Sequence, residues 1–222
     1  MIYVAPAHTA LLAHFLAHGF ALPALPRAKR MLDLALTVLG LLALWPVFAA
    51  LALAVRLSGP GPVFFRQIRV GKNGKPFGMI KFRSMYPDAE ARRAQVLAHS
   101  DRAGLCFKSK ADPRVTPVGR WLRRASLDEL PQLWNVLRGE MSLVGPRPAL
   151  PVEVAAYPAP ARERLAVQPG LTGLWQVSGR ADLGFDQMVA LDVHYVRHPS
   201  LWRDLFILAR TVGVVISGRG AY

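Results

Sequence analysis

Two adjacent carboxylates, Asp128 and Glu129, lie in a stretch that is otherwise rich in arginine, proline and glycine. Arg124 precedes them, and Gly145-Pro-Arg-Pro148 follows, with Arg147 between two prolines that stiffen the turn. Carboxylates bind divalent metal ions, and guanidinium groups bind phosphate through paired hydrogen bonds. Residues of these types in one place are suited to chemistry on a phosphoanhydride.

The two carboxylates are expected at the start of a short amphipathic helix. Leucines and a tryptophan recur at helical spacing over residues 127–137, which places Gln132 and Asn135 on the opposite face. Pro131 must lie in the first turn because proline has no N–H to donate, so the helix begins three or four residues before it. The helix N-terminus and the nearby arginines are then expected to keep Asp128 ionised.

A purely structural interpretation fits the same residues. Ser126 and Glu129 have the spacing of a capping box, in which each side chain bonds the other residue's backbone N–H at a helix start. Acidic residues in a first turn also offset the helix dipole. From residue types alone, the carboxylates are therefore either caps or reacting groups.

Three motifs in this part of the chain resemble a known family. They are Arg124-x-Ser-x-Asp-Glu-Leu130, Asn135-Val-Leu-Arg-Gly-Glu-Met-Ser142 and Val144-Gly-Pro-Arg-Pro148. They resemble the signature of the bacterial sugar transferases, the monotopic phosphoglycosyl transferases, and the resemblance extends from about Lys29 to Tyr222. It implies that the Asp-Glu pair transfers a sugar 1-phosphate from a UDP-sugar to a polyprenyl (undecaprenyl) phosphate.

The resemblance implies roles for individual residues. Asp128 would be the nucleophile and form a covalent phosphosugar intermediate with release of UMP, and Mg²⁺ would be held by Asp128 and Glu129. The predicted substrate-binding residues are Lys81, Arg83, Arg124, Pro146, Arg147, Pro148, Arg180 and Asp192. Asp192 is expected to act through an arginine. For Lys81 and Arg83, the structural alternative is a solvated strand face.

Composition restricts the kind of protein further. At 222 residues the chain can bury one sizeable core, and 52% of its residues are hydrophobic. The formal net charge of +14 nevertheless calls for an acidic partner, which is anionic lipid, a phosphorylated substrate or nucleic acid. The single cysteine, Cys106, excludes an internal disulfide and is typical of a reducing cytoplasm.

One segment is apolar enough to enter a bilayer. Residues 31–57 have about the length of a membrane span, with basic residues near both ends and Pro46 in the middle. Positive charge favours a cytoplasmic position for each end of the segment, whereas its length suits a span. Charge alone therefore leaves a spanning and a re-entrant helix as alternatives. The family resemblance favours a re-entrant helix that bends at Pro46 and returns to the cytoplasmic face of the bacterial inner membrane.

The expected organisation has three parts. Residues 1–26 form an apolar interfacial segment, residues 27–57 the re-entrant helix, and residues 58–222 the catalytic domain at the cytoplasmic face. Alternating strands over residues 63–70 and 77–85 predict a small β-hairpin. The fold class is therefore α+β, mostly helical and membrane-associated, with this hairpin and amphipathic interfacial helices.

Two amphipathic helices of this kind are expected in the C-terminal half. The first covers residues 151–168 and places Arg164 on a solvated or membrane-facing surface, and the second covers residues 202–217. An oligomer is compatible with the sequence.

The main alternative function is a non-catalytic, membrane-tethered basic protein that binds anionic lipid or nucleic acid, because net charge alone fits it equally well. The motifs favour an enzyme whose partners are a UDP-sugar, a polyprenyl phosphate and membrane lipid, without nucleic acid. A polytopic transferase that acts by direct attack needs many spans, whereas the chain offers one apolar run. The C-terminal motifs resemble relatives that begin exopolysaccharide or capsule synthesis with galactose or glucose phosphate.

Overall fold

A long apolar helix, α1, runs from Pro26 to Leu57 and continues through Pro46. Its 32 residues are about 48 Å long if straight. By length and composition it could cross a membrane, and 11% of its most apolar window is buried. The apolar side chains that it exposes include Met31, Val38, Leu39, Leu42, Trp45, Leu53 and Leu57. The re-entrant bend at Pro46 stays a prediction.

The other face of α1 packs against the rest of the protein along its length. Near its start, Lys29 Nζ lies 2.8 Å from Asp204 Oδ2, and Asp33 Oδ1 accepts a hydrogen bond from Leu143 N at 3.1 Å. Near its end, Val55 is fully buried in a cluster with residues of the following segments. Both ends of α1 therefore contact the same domain.

A β-hairpin follows α1. Strand β1 (Phe64–Val70) pairs antiparallel with β2 (Pro76–Phe82), and Phe65 is opposite Lys81. The turn between the strands places Asn73 at a φ of 56°, a left-handed conformation that asparagine tolerates better than most residues. The predicted hairpin is confirmed, with the second strand ending three residues earlier than expected.

The remaining elements form the domain around this hairpin. The structure, a computed structural model, describes residues 26–89, 91–92, 112–179 and 183–217. Residues 1–25, Cys106 and Arg180 lie outside these ranges. The elements are α2 (Pro117–Arg124), a 3-10 helix (Leu127–Gln132), α3 (Leu133–Leu137), β3 (Ser142–Val144), α4 (Pro151–Ala155), a second 3-10 helix (Ala159–Ala166), β4 (Gly170–Thr172), α5 (Leu174–Ser178), α6 (Phe185–Arg197) and α7 (Leu201–Ser217).

Strands β3 and β4 pair in parallel, and the main core forms between them, the hairpin and the last helices. Its fully or almost fully buried members include Met79, Val136, Met141, Val144, Leu174 and Ile207. The structure confirms the predicted α+β class with mostly helical content. The single helix predicted over residues 151–168 is wrong, because Pro158 and Pro160 divide this part into α4 and the second 3-10 helix.

Arg83 is placed by the structure away from the two carboxylates. Its side chain is buried and donates to three backbone carbonyls, Val55 O at 2.7 Å, Gly59 O at 2.9 Å and Pro60 O. Val55 O is one of the last carbonyls of α1, which lack partners further along the helix, and the other two carbonyls belong to the turn that follows. The buried guanidinium joins the helix end to this turn. The predicted substrate contact of Arg83 is therefore replaced by a structural role at the end of α1.

Replacing Arg83 by Met should lower the free energy of unfolding by about 2–4 kcal/mol, because buried carbonyls lose a charged donor. The exposed Lys75, on the same hairpin, provides the control Lys75→Met, which should leave stability nearly unchanged. Denaturant unfolding in detergent, followed by tryptophan fluorescence, measures both. A stable Arg83→Met variant that fails to bind substrate would restore the original prediction.

Candidate active site

The two carboxylates lie on the 3-10 helix Leu127–Gln132, where a regular α-helix was expected. Ser126 precedes it in a left-handed conformation, with φ 55° and ψ 19°, and its side chain makes no capping hydrogen bond. The capping-box interpretation is therefore wrong. The predicted start of the helical segment is correct, and the carboxylate of Glu129 is available for other partners.

The predicted faces of this segment are also wrong. Gln132 and Asn135 are buried, whereas Trp134, expected on the apolar side, is half exposed. The amide of Asn135 is satisfied by hydrogen bonds to the backbone of β2, so burying it leaves no polar group without a partner.

Glu129 is bound by two cationic side chains from different elements. Lys81 Nζ, on β2, lies 2.6 Å from Glu129 Oε1, and Arg147 NH1, after β3, lies 3.4 Å from the same atom. Burial alone would raise the pKa of Glu129, but the charges and hydrogen bonds of Lys81 and Arg147 lower it to about 2. Glu129 is therefore a fixed negative charge at neutral pH.

Asp128 has a different environment. It is 7% exposed, and the charged side chains that act on it are Lys81, Glu129, Arg123 and Arg147. Burial raises the pKa of Asp128, the charge of Lys81 opposes this, and the neighbouring charge of Glu129 reinforces it. Arg123 and Arg147 act in the expected direction, because their charges lower the pKa of Asp128, but burial is the largest effect and raises it. The ionisation of Asp128 in the resting protein stays a prediction.

Arg123 is the α2 arginine whose charge acts on Asp128, and the substrate contact of Arg124 stays a prediction. Arg123 Nε donates to Ser84 Oγ at 2.9 Å; burial lowers its pKa, and the charge of Asp128 is the largest effect opposing this. Arg124 is exposed to solvent. Helical spacing could have distinguished them, because Arg123 lies four residues after the buried Gly119 and so on the same face of α2, whereas Arg124 does not.

Pro146 and Pro148 are buried and hold the loop that carries Arg147. Pro146 O accepts a hydrogen bond from Gly170 N at 2.9 Å, and Pro148 O accepts one from Arg69 at 3.0 Å. A Cβ on Gly170 would lie 2.1 Å from Gly145 N, so this glycine is required by the close packing of the two loops. The loop containing Gly170 therefore supports Arg147.

Asp192 is fully buried on α6 and forms an ion pair with Arg164, at 2.6 Å between Oδ2 and NH2. Arg164 also donates to Tyr157 Oη at 2.8 Å. Burial raises the pKa of Asp192 to about 6, against the lowering effect of Arg164. Asp192 thus has an arginine partner as expected, but the predicted surface position of Arg164 is wrong. Arg164 and Arg147 both line a small pocket between the hairpin and the Pro146 loop.

Comparison with known proteins shows which family this arrangement belongs to. Residues 25–218 match the family described as bacterial sugar transferase. The chain is a member of that family. It is 46% identical over 195 residues to the galactosyl transferase CpsE of Streptococcus agalactiae, covering 87% of this chain but 43% of CpsE.

Two other similar proteins match over more of their own length. The exopolysaccharide production protein ExoY of Sinorhizobium fredii is 44% identical over 200 residues, which is 88% of either chain. The UDP-glucose:undecaprenyl-phosphate glucose-1-phosphate transferase of Caulobacter vibrioides is 42% identical over 203 residues, 87% of this chain and 72% of that one. The chain therefore corresponds to less than half of CpsE and to most of ExoY.

The carboxylates of this sugar transferase are suited to a divalent metal ion. Within the described residues there is no cluster of three or more histidine, cysteine or acidic side chains that could enclose one. Mg²⁺ commonly binds one or two carboxylates and takes its other ligands from substrate phosphates and water. Asp128, buried beside another carboxylate, fits this requirement because a cation would stabilise its charged form.

Replacing Asp128 by Asn should stabilise the metal-free protein at neutral pH. A carboxyl whose pKa is raised by folding contributes stability below its unfolded pKa of about 3.9 and loses it as pH rises through the folded value. The thermal midpoint of Asp128→Asn relative to wild type should therefore increase from about pH 4 to pH 7 in EDTA. Magnesium should reduce this advantage by stabilising wild type.

Glu129→Gln is the matched control, with the opposite sign. The pKa of Glu129 is lowered, so its contribution is present above the unfolded pKa, and Gln should destabilise the protein at pH 7. An Asp128→Asn variant that is less stable than wild type at pH 7 would contradict the role assigned to burial.

Proposed function

We propose that this sugar transferase transfers a sugar 1-phosphate from a UDP-sugar to polyprenyl phosphate, specifically undecaprenyl phosphate, and begins an exopolysaccharide or capsule glycan. The observation that carries the proposal is a buried carboxylate, Asp128, beside Glu129 and its two cations. The names of the Caulobacter and Sinorhizobium relatives give these substrates and this process for those proteins.

In the first step, a carboxylate oxygen of Asp128 attacks the sugar-bearing phosphorus of the UDP-sugar. The bond from this phosphorus to the oxygen of the UMP phosphate breaks, and UMP leaves with the electron pair. The product is an acyl phosphate that links Asp128 to the sugar phosphate. Lys81 and Arg147, held against Glu129, offset the negative charge of the phosphate oxygens.

In the second step, a phosphate oxygen of the polyprenyl phosphate attacks the same phosphorus. The bond to the Asp128 oxygen breaks, which restores the carboxylate and yields polyprenyl-diphosphate-sugar. Mg²⁺ held by Asp128 or Glu129 would supply further positive charge to the phosphate oxygens. Galactose and glucose both remain candidate sugars, because CpsE is named for the first and the Caulobacter relative for the second.

The membrane arrangement proposed with this function is monotopic, at the cytoplasmic face of the bacterial inner membrane. Both ends of α1 contact the same domain, which a straight span with that domain on one side of the bilayer would not allow. Leu127 and Leu130, on either side of Asp128, pack on the same cluster as Leu51 and Val55 of α1. The lipid phosphate would then reach Asp128 from the headgroup layer.

The covalent step is tested with detergent-solubilised protein, magnesium and one UDP-sugar at a time, without lipid acceptor. Intact mass should increase by one sugar phosphate, with about one UMP released per protein, and Asp128→Asn should abolish both. The donor that gives the adduct identifies the sugar. No adduct and no UMP from folded protein with any donor would reject the covalent mechanism and return the binding-protein alternative.

The topology is tested with single cysteines at the exposed positions Arg27 and Lys72, introduced into a Cys106→Ser background. A membrane-impermeant maleimide should label both positions from the cytoplasmic side of sealed vesicles, because α1 returns to the side it left. Labelling of Arg27→Cys only from the opposite side would show that α1 spans the bilayer. Lys72→Cys, labelled in parallel, reports which side of the vesicles is cytoplasmic.

A further inference from the structure

Asn135, on α3, is fully buried and bonds to the free edge of β2. Its Oδ1 accepts from Ile80 N at 3.1 Å, and its Nδ2 donates to Gly78 O at 2.9 Å. Because β2 pairs with β1 along its other edge, one side-chain amide satisfies two backbone groups that a third strand would otherwise bond. The amide therefore fixes the register of β2 against α3.

This register determines where Lys81 lies. Lys81 follows Ile80 directly, and its Nζ is 2.6 Å from Glu129 Oε1. Glu129 is on the 3-10 helix that continues into α3, so Asn135 and the two carboxylates belong to one helical segment. A shift of β2 along this segment would move the ammonium group away from Glu129.

Asn135 is itself held by the turn that follows α3. Its Nδ2 also donates to Glu140 Oε2 at 2.7 Å, and its backbone carbonyl accepts from Glu140 N and Met141 N. Gly139, with a φ of 78°, allows the chain to fold back in this way. The spacing of asparagine, glycine and glutamate in Asn135-Val-Leu-Arg-Gly-Glu140 is thus explained by a closed set of hydrogen bonds around one amide.

We propose that Asn135 is a positioning residue, which holds β2 against the carboxylate-bearing segment so that Lys81 meets Glu129, with Glu140 orienting the amide. The inference rests on the proposed function, in which Lys81 offsets the charge of the transferred phosphate. A displacement of a catalytic group by about 1 Å costs on the order of 100-fold in rate. Loss of the amide contacts should therefore act on the rate through Lys81.

A mutant cycle tests this coupling. The pair Asn135→Asp with Glu140→Gln keeps the shape, keeps an acceptor for Ile80 N and keeps a hydrogen bond between positions 135 and 140, but removes the donation to Gly78 O. Single-turnover UMP release without acceptor, per folded protein, should fall about 10- to 100-fold. Adding Lys81→Met should give a rate within about threefold of Lys81→Met alone, because residues that act through one contact are not additive.

Ser142→Ala is the matched control. Ser142 is buried almost as deeply, in β3, where its hydroxyl donates to Val144 O and its backbone N–H donates to Pro169 O. Any loss of UMP-release rate that Ser142→Ala causes should multiply with the loss caused by Lys81→Met. The positioning role is wrong if the Asn135→Asp and Glu140→Gln pair keeps the wild-type rate. It is also wrong if the loss of rate in this pair multiplies with the loss caused by Lys81→Met.

Two further outcomes are distinguishable. If the paired variant lacks a cooperative unfolding transition, Glu140→Ala, which removes one partner of the amide and leaves both β2 bonds, enters the same cycle. The loss of rate in Glu140→Ala combined with Lys81→Met should likewise be smaller than the product of the two single losses. Wild-type protein that releases no UMP with any donor would instead reject the proposed function, and this inference with it.

Discussion

The arrangement of the site depends on the ion pairs that Glu129 forms. Lys81 reaches it from β2, and Arg147 reaches it from the loop after β3. Moving a carboxylate out of water costs several kcal/mol unless cations and hydrogen bonds replace the water. This partly buried carboxylate therefore connects the hairpin, the 3-10 helix and the loop after β3, and the fold and the site share that constraint.

The long apolar helix α1 is part of the same packing. Leu51 and Val55 of α1 form a buried cluster with Phe82 at the end of β2 and Leu122 on α2, and the residues beside Asp128 pack on this cluster. Arg83, directly after β2, adds hydrogen bonds to Val55 O of α1 and to Gly59 O in the turn that follows. The position of Asp128 relative to the exposed face of α1 is thus set by side-chain packing, which suits the proposed transfer to a lipid acceptor.

The sequence predicted the elements that have a local signal. The apolar run of α1, the alternation in the hairpin and the motif around Asp128 were sufficient to locate each of them. The sequence does not predict the burial of polar residues such as Arg83 and Asn135, for which local patterns indicate contact with substrate or solvent. Periodicity shows which residues share a face, but their burial depends on partners about 25 to 60 residues away in sequence, which no local pattern contains.

The two neighbouring carboxylates show how far a local environment separates groups of the same chemistry. Burial favours a higher pKa for both groups. For Glu129 the charges and hydrogen bonds of Lys81 and Arg147 outweigh it and the pKa falls, whereas for Asp128 burial prevails and the pKa rises. A carboxylate whose charge is less stabilised is the better nucleophile, and one that is fully paired is the better organiser of cations. The two carboxylates are therefore not equivalent here, because Glu129 is paired with Lys81 and Arg147, whereas Asp128 is buried beside it.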